Sequence, residues 1–334
     1  MATMRELSTW IRNYGQDAKI QKQLISDRFI WRQLWASMDI IDDVDSALEA
    51  YFNNEFPADL GERYLRIYGA MQGLFLQQDA LYDLVKAIHP SKAIYPNDVL
   101  KDIRDLRNAS VGHPTRLNRK GSLSTHGIVQ NSMHKDGFDL LSYPSKDGNI
   151  FQHVPVRELI EKQRIETVRI LTEVVNDLRA QEEAHRAKFR DIKVVAAFDQ
   201  VSYAFEKIFE ETRDGATPVL SRWGAGHLEK SLDDFAQGLK QRGFSVDTYD
   251  SIKYLYTNID HPLAELKKFV LREPSEIQSD KSAIVFADAL QGYFKELRDI
   301  AREIDDEYAS EPPPIVEPDR PFEPVVITTT ILGK

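Results

Sequence analysis

The stretch Asn97–Pro114, NDVLKDIRDLRNASVGHP, contains the start, the apolar face and the end of one helix. Asn97 or Asp98 can cap its first turn, because a side-chain oxygen there accepts a hydrogen bond from a free backbone N–H. The inner face recurs at helical spacing and consists of Val99, Ile103, Leu106 and Ser110. Gly112 and Pro114 are typical of a helix end. The stretch therefore predicts an amphipathic helix that stops at its polar C-terminal residues.

Helical spacing of apolar residues continues on both sides of this stretch. Before it, the pattern runs from Asp59 as far as Pro90, which interrupts it because proline cannot donate the next backbone hydrogen bond. A second long pattern starts after Pro155 and holds as far as Leu178. We therefore predict an all-α fold, with a helical bundle over residues 1–190.

The segment between these helices has a different composition. Gly, Asn, Asp and Pro are frequent there. Two short apolar runs, at residues 138–141 and 151–154, flank the turn signal at residues 146–149. We therefore predict a small β-hairpin insertion at about residues 122–156.

The rest of the chain predicts a second helical block and a tail. Apolar residues recur at helical spacing in four stretches, which predicts a second helical domain over residues 191–310. Residues 311–334 begin with Glu311-Pro312-Pro313-Pro314 and are acidic, so we predict an extended, Pro-rich tail.

The composition excludes several classes of protein. Apolar residues make up 42% of the chain, as in folded proteins, and no apolar run is long enough to cross a membrane. The chain has no cysteine, which excludes disulfides, thiolate metal sites and a cysteine nucleophile. The first residues contain no apolar core of a secretory signal. These features predict a cytoplasmic protein without membrane association.

The sequence predicts no cofactor and no metal. It contains no phosphate-binding loop, no dinucleotide fingerprint and no Gly-x-Ser-x-Gly element. Half of the eight histidines lie close together in the chain, and they are His113, His126, His134 and His153. Their spacing matches no zinc-ligand motif.

The net charge of −10 argues against a chain that coats nucleic acid over its whole surface, but one segment is basic. Residues 101–122 contain six basic side chains against two acidic ones, Asp102 and Asp105. The basic set is Lys101, Arg104, Arg107, Arg116, Arg119 and Lys120. A local patch of this kind binds a phosphate backbone, although a solvated helix end has the same composition.

The end of the predicted helix combines groups that bind phosphate and move protons. Arg107 offers a planar, permanently charged fork that matches phosphate oxygens. His113 carries an imidazole, the side chain best suited to acid–base chemistry at neutral pH. Asn108 can orient either group. Six helical residues rotate by about 600°, so the two side chains share a face only if the helix breaks near Gly112.

The segment Arg107–His113 has the form Arg-x5-His, with Asn108 directly after the arginine, at the end of a helix in a predicted bundle. This arrangement resembles the HEPN superfamily, whose signature is an arginine followed after four to six residues by a histidine, often with a polar residue after the arginine. The resemblance covers residues from about 17 to 190. Three other Arg–His pairs fit the bare spacing, but only Arg107 has an adjacent asparagine and lies on a clean amphipathic helix.

The resemblance implies a metal-independent endoribonuclease, in which the RNA 2′-hydroxyl attacks the adjacent phosphate and leaves a 2′,3′-cyclic phosphate. It implies a homodimer with a composite site in which Arg107 and His113 are catalytic and Asn108 supports them. Such proteins often act as toxins or in defence against phage, so an antitoxin or regulatory protein is a possible partner. The residues expected to contact the RNA backbone are Arg104, Arg116, Arg119 and Lys120.

Two other readings stay open at this level. The first is a catalytically inactive HEPN-like bundle that serves as an interaction or regulatory subunit, in which Arg107 pairs with an acidic residue and His113 caps the helix. The second is a plain helical scaffold. Arg222 and His227 also fit the spacing and are candidates for a second, degenerate site.

Overall fold

The computed structural model describes residues 3–16, 27–89, 97–119, 122–144, 148–214 and 218–310. These residues divide into two compact units, with the boundary between Leu178 and Arg179. The sequence placed the boundary at about residue 190. The predicted tail, residues 311–334, lies outside the described residues.

The first unit is a helical bundle with a sheet inserted before its last helix. Its helices are α1 (Met4–Gln16), α2 (Arg28–Asn53), α3 (Leu60–Ile88), α4 (Asp98–Arg107) and α5 (Val156–Phe189), and α5 continues into the second unit. Helix α3 begins after Asp59, where its apolar pattern starts, and the Asp59 side chain caps it by accepting a hydrogen bond from Glu62 N at 3.0 Å.

Helix α4 follows the predicted pattern at both ends. The Asn97 side chain caps it by accepting a hydrogen bond from Leu100 N at 3.3 Å. Leu100, Ile103 and Leu106 are buried in the bundle. The helix then widens into one π-helical turn, Asn108–Gly112, before the chain leaves it.

The insertion is a four-stranded antiparallel sheet and not the predicted hairpin. Its strands are β1 (Leu117–Arg119), β2 (Ser122–Ile128), β3 (Phe138–Pro144) and β4 (Ile150–Val154), in the order β1-β2-β3-β4. The two predicted strands are β3 and β4. Strand β2 escaped prediction because Ser124 and His126 occupy one of its faces, so its alternation is not between apolar and polar residues.

The second unit consists of four helices that follow a 3₁₀ turn, Val194–Phe198. They are α6 (Val201–Asp214), α7 (Pro218–Gln241), α8 (Asp250–Leu271) and α9 (Asp280–Ala309). They enclose one apolar core that includes Phe205, Phe235 and Phe294. The chain turns after α7 at Gly243, whose φ of 82° lies in the left-handed region that favours glycine.

Three His-Pro dipeptides, at His89, His113 and His261, predict helix ends, because proline cannot donate the next backbone hydrogen bond. At the first of them, α3 indeed ends at Ile88. At the third the expectation is wrong, because Pro262 lies inside α8. Burial of Ile259, Leu263 and Leu266 on one face of α8 outweighs the roughly 3 kcal/mol cost of an internal proline.

None of the helices that the structure describes is both long and apolar enough to cross a membrane.

Candidate functional site

The Arg107 guanidinium at the end of α4 is held entirely by uncharged groups. Its Nη1 donates to Asn108 Oδ1 at 3.0 Å, and its Nη2 donates to Gln72 Oε1 of α3 at 2.6 Å. The guanidinium carbon lies 4.0 Å from the centroid of the Phe75 ring. No carboxylate in the described part of the chain forms an ion pair with Arg107. The positive charge is therefore fixed in position without a direct ion pair, although the carboxylate of Asp79 is close enough to counteract part of the lowering of the Arg107 pKa.

Arg104 lies beside Arg107 on the same face of α4. Its guanidinium carbon is 4.3 Å from the centroid of Phe75, Nε donates to Gln78 Oε1 at 3.3 Å, and Nη2 forms an ion pair with Asp79. The pKa of Arg107 is lowered, first by burial and then by the charge of Arg104. Two adjacent cations over one ring favour binding of an anion there.

A buried chain of amides anchors this cationic pair to the core of the bundle. Gln78 donates to Gln163 Oε1 at 2.8 Å, while Gln163 donates to Gln77 Oε1 and to the Leu74 carbonyl, both at 2.9 Å. All three glutamines are fully buried. Because Gln78 also accepts a hydrogen bond from Arg104, these linked amides connect the core of the unit to the site.

The π-helical turn sets the position of His113. The His113 N–H donates to the Asn108 carbonyl at 2.7 Å, five residues earlier. The backbone of His113 therefore lies one wide turn beyond Asn108. In a regular α-helix, residue 113 would be rotated to a different side of the helix from residue 108. The imidazole is exposed, and no described side chain hydrogen-bonds to it. It is accessible to a ligand or to a second protein chain.

The Arg107 side chain extends along this turn and contacts Gly112. A Cβ atom at residue 112 would lie 2.5 Å from Arg107 Nη1 and 3.2 Å from Asn108 Oδ1. Glycine is therefore required for the guanidinium to occupy this position, which is next to His113 in the chain. The turn thus brings Arg107 and Asn108 against the residue that precedes His113.

We predict that Gly112→Ala displaces the Arg107 guanidinium while the bundle stays folded. If Arg107 binds the scissile phosphate, a displacement of about 1 Å lowers the rate of RNA cleavage by about a hundredfold. The rate is measured on labelled RNA, and circular dichroism verifies the fold. Gly69→Ala is the matched control, because a Cβ there meets nothing within 4 Å. Equal rates for both variants would refute this role of Gly112.

The other predicted RNA-binding residues have different positions. Arg116 is exposed after the turn, whereas Lys120 and the side chain of Arg119 lie outside the described part of the structure. The Arg104 side chain packs against α3, where it pairs with Asp79 and lies over the Phe75 ring. The structure thus brings together Arg104, Arg107 and Asn108, and places Arg116 near them only in sequence.

Gln72 and Phe75, the two α3 residues that hold Arg107, were not predicted from the sequence. The signal was weak, because both lie beside the apolar stripe that contains Met71 and Leu74 and look like ordinary flanking residues. Only the packing of α4 against α3 reveals that an amide and a ring face the arginine.

A cavity of about 400 Å³ between α4 and the sheet was also missed. On its floor, His126 Nε2 lies 2.8 Å from Ser124 Oγ and Nδ1 lies 2.7 Å from Ser142 Oγ. Asp102 and Asp105 line the opposite wall. Helix α4 therefore presents its arginines to α3 and its acidic residues to the sheet.

The remaining histidines do not form a metal centre. No group of three potential metal ligands occurs within the described ranges. His134 and His153 stack with ring centroids 5.8 Å apart, and His153 pairs with Asp139 at 2.8 Å. The second Arg–His pair lies within the uninterrupted helix α7, where His227 stacks on Trp223 at 5.0 Å between centroids. This pair lacks the helix break found after Arg107. It also lacks a neutral cradle, by which we mean the uncharged Asn108, Gln72 and Phe75 that hold the Arg107 side chain.

Comparison with known proteins gives no relative for this chain, since no family model, no curated protein and no solved structure matches it.

Proposed function

We propose that this protein is a metal-independent endoribonuclease that uses Arg107, Asn108 and His113. The observation that carries the proposal is the neutral cradle of Arg107. Asn108 and Gln72 hold the guanidinium by its two terminal nitrogens, so its charge is available to a phosphate. A purely structural arginine would be expected to pair with a carboxylate, as Arg104 does with Asp79.

The donor inventory of Arg107 supports a role in binding phosphate. A guanidinium has five N–H donors. One donates to Asn108, one donates to Gln72, and the Nε–H is buried without an acceptor. One N–H on each terminal nitrogen is left for the two non-bridging oxygens of a phosphate, and these bonds strengthen as charge builds up on those oxygens.

The reaction that fits this site is attack of the RNA 2′-hydroxyl on the adjacent phosphorus. The new bond joins the 2′-oxygen to phosphorus, and the bond to the 5′-oxygen breaks. A base removes the 2′-hydroxyl proton, and an acid protonates the departing 5′-oxygen. The exposed imidazole of His113 can serve in either role.

We also propose that the active form is a homodimer. The reaction needs an acid and a base at the same time, and the His113 imidazole of one copy can act as only one of them. A second copy that faces the first would supply the other group, with Arg116 contacting the RNA backbone. In the cell such an enzyme would act as a toxin or in defence against phage, restrained by an antitoxin or regulatory protein.

The test is cleavage of end-labelled RNA by the purified protein in the presence of EDTA. We expect cleavage in EDTA, because the chemistry requires no metal. We expect 2′,3′-cyclic phosphate ends, because the 2′-oxygen is the nucleophile. A mock purification from cells that lack the protein controls for contaminating nucleases. Cleavage that depends on added Mg²⁺, or that leaves 3′-hydroxyl ends, would contradict the proposal.

The alternative, an inactive interaction subunit, has one observation in its favour. The Gln72 and Asn108 bonds and the Phe75 contact also make Arg107 part of the packing between α3 and α4. Intact RNA after incubation with a folded dimer would favour this alternative.

A further inference from the structure

The second unit contains a cavity of about 360 Å³ between the start of α6 and the middle of α9. This volume is within the range of small-molecule sites in proteins. All of its lining residues belong to the second unit, so it is separate from the Arg107 site.

Two basic side chains of α9 line this cavity without partners. Lys295 and Arg298 form no ion pair and no side-chain hydrogen bond within the described part of the chain, and Arg298 Nε is buried without an acceptor. Asp288 is the carboxylate in the lining. Two cations against one carboxylate leave a net positive charge.

The first turn of α6 supplies further donors to the same cavity. The Ala204 N–H donates to the Gln200 carbonyl, so the N–H groups of Val201 and Ser202 precede the first intrahelical bond. Both residues line the cavity, and Ser202 adds a hydroxyl group. The positive end of the helix dipole therefore acts together with Lys295 and Arg298.

The remaining lining favours an apolar or aromatic group next to the anion. Val201, Phe205 and Phe294 form its apolar base, in which both phenylalanines are almost fully buried. Gly292 leaves open space, since a Cβ there would meet nothing within 4 Å. Gln291 adds an amide that can bond to a polar edge of the same ligand.

We propose that this cavity binds a small phosphomonoester with a flat organic body, such as a nucleoside monophosphate. The phosphate contacts Arg298, Lys295 and the first turn of α6. The organic body lies over Val201 and the apolar base that Phe205 and Phe294 complete. The assignment is independent of ribonuclease activity in the first unit.

Isothermal titration calorimetry with adenosine 5′-monophosphate, adenosine and inorganic phosphate tests this site. The full chain carries Arg107→Ala, so that the first unit does not contribute phosphate binding. We expect adenosine 5′-monophosphate to bind more tightly than either of the other probes. Arg298→Gln and Lys295→Gln should each weaken its binding about tenfold. Asp288→Asn should tighten binding, because it removes the carboxylate from the lining.

Arg302→Gln is the matched control, because Arg302 lies on the same helix and pairs with Asp299 at 3.0 Å outside the cavity lining. This variant should bind with the affinity of the parent chain. Absence of binding at millimolar adenosine 5′-monophosphate would overturn the proposal, as would equal affinities of Arg298→Gln and Arg302→Gln. Binding of adenosine as tight as that of its monophosphate would overturn the role of the phosphate. Equal binding of inorganic phosphate would overturn the role of the organic body.

Discussion

Arg107→Ala and His113→Ala are each expected to lower the rate of RNA cleavage by about a hundredfold or more. In the proposed mechanism, the arginine variant removes the preorganised donors that stabilise charge on the phosphate, an effect of about 10²–10³ for a single donor. The histidine variant removes the acid–base group, an effect of about 10²–10⁴. Single-turnover cleavage of labelled RNA in EDTA measures both rates.

Arg107→Lys separates the charge from the geometry. Lysine keeps the positive charge but has no planar fork, so it cannot donate to Asn108 and Gln72 and also grip two phosphate oxygens. We expect this variant to resemble Arg107→Ala in rate. Recovery of the parent rate by lysine would show that charge alone suffices, and would remove the argument from the neutral cradle.

Two matched substitutions identify nonspecific losses. Lys101 is exposed on the same helix as Arg107, and His134 is an exposed histidine in the sheet insertion. Lys101→Ala and His134→Ala should keep the rate within about twofold. If they reduce the rate as strongly as Arg107→Ala and His113→Ala, the site lies elsewhere or the activity belongs to a contaminant.

The sequence predicted those helices whose ends are marked by local chemistry. Asn97 caps α4 as expected, because a cap depends on a side chain and the N–H groups of the next turn. The predicted start of α3 at Asp59 is also correct, and Asp59 caps that helix. The mostly helical architecture and a β insertion were likewise predicted. Helix α8 passed through Pro262 because burial in the core, a long-range effect, outweighed the local signal.

The candidate site was predicted in its residues but not in its geometry. The polar residues at the end of α4 are visible in the sequence, and the π-helical turn that carries His113 is not. Nor does any local pattern indicate that Gln72 and Phe75 face Arg107, because they lie about 35 residues earlier, on another helix. Contacts between helices depend on packing angles and rotamers, which periodicity alone does not specify.

The second large expected effect concerns stability. Asp305 of α9 is 3% exposed and pairs with Arg242, 1% exposed, at 3.0 Å. Its two carboxylate oxygens also accept hydrogen bonds from the backbone N–H groups of Val194 and Val195, both at 3.0 Å. One side chain thus ties α9 to the residue after α7 and to the start of the 3₁₀ turn.

Asp305→Ala is expected to lower the free energy of unfolding of the second unit by about 3–5 kcal/mol, because it leaves a buried arginine without its counter-charge and two backbone donors without acceptors. Hydrogen exchange in peptides from α8 and α9 measures this loss. Asp306→Ala is the control, since Asp306 is exposed on the same helix and should cost less than about 0.5 kcal/mol.

The double variant Arg242→Met with Asp305→Leu tests whether the loss comes from the unpaired charge. Removal of both charges takes away the attraction together with the desolvation cost, so we expect it to recover much of the stability that Asp305→Ala loses. The backbone N–H groups of Val194 and Val195 still lack acceptors in this variant, so the stability that their hydrogen bonds contribute is not recovered. A double variant less stable than Asp305→Ala would show that the pair itself, and not the stranded arginine, holds these elements together.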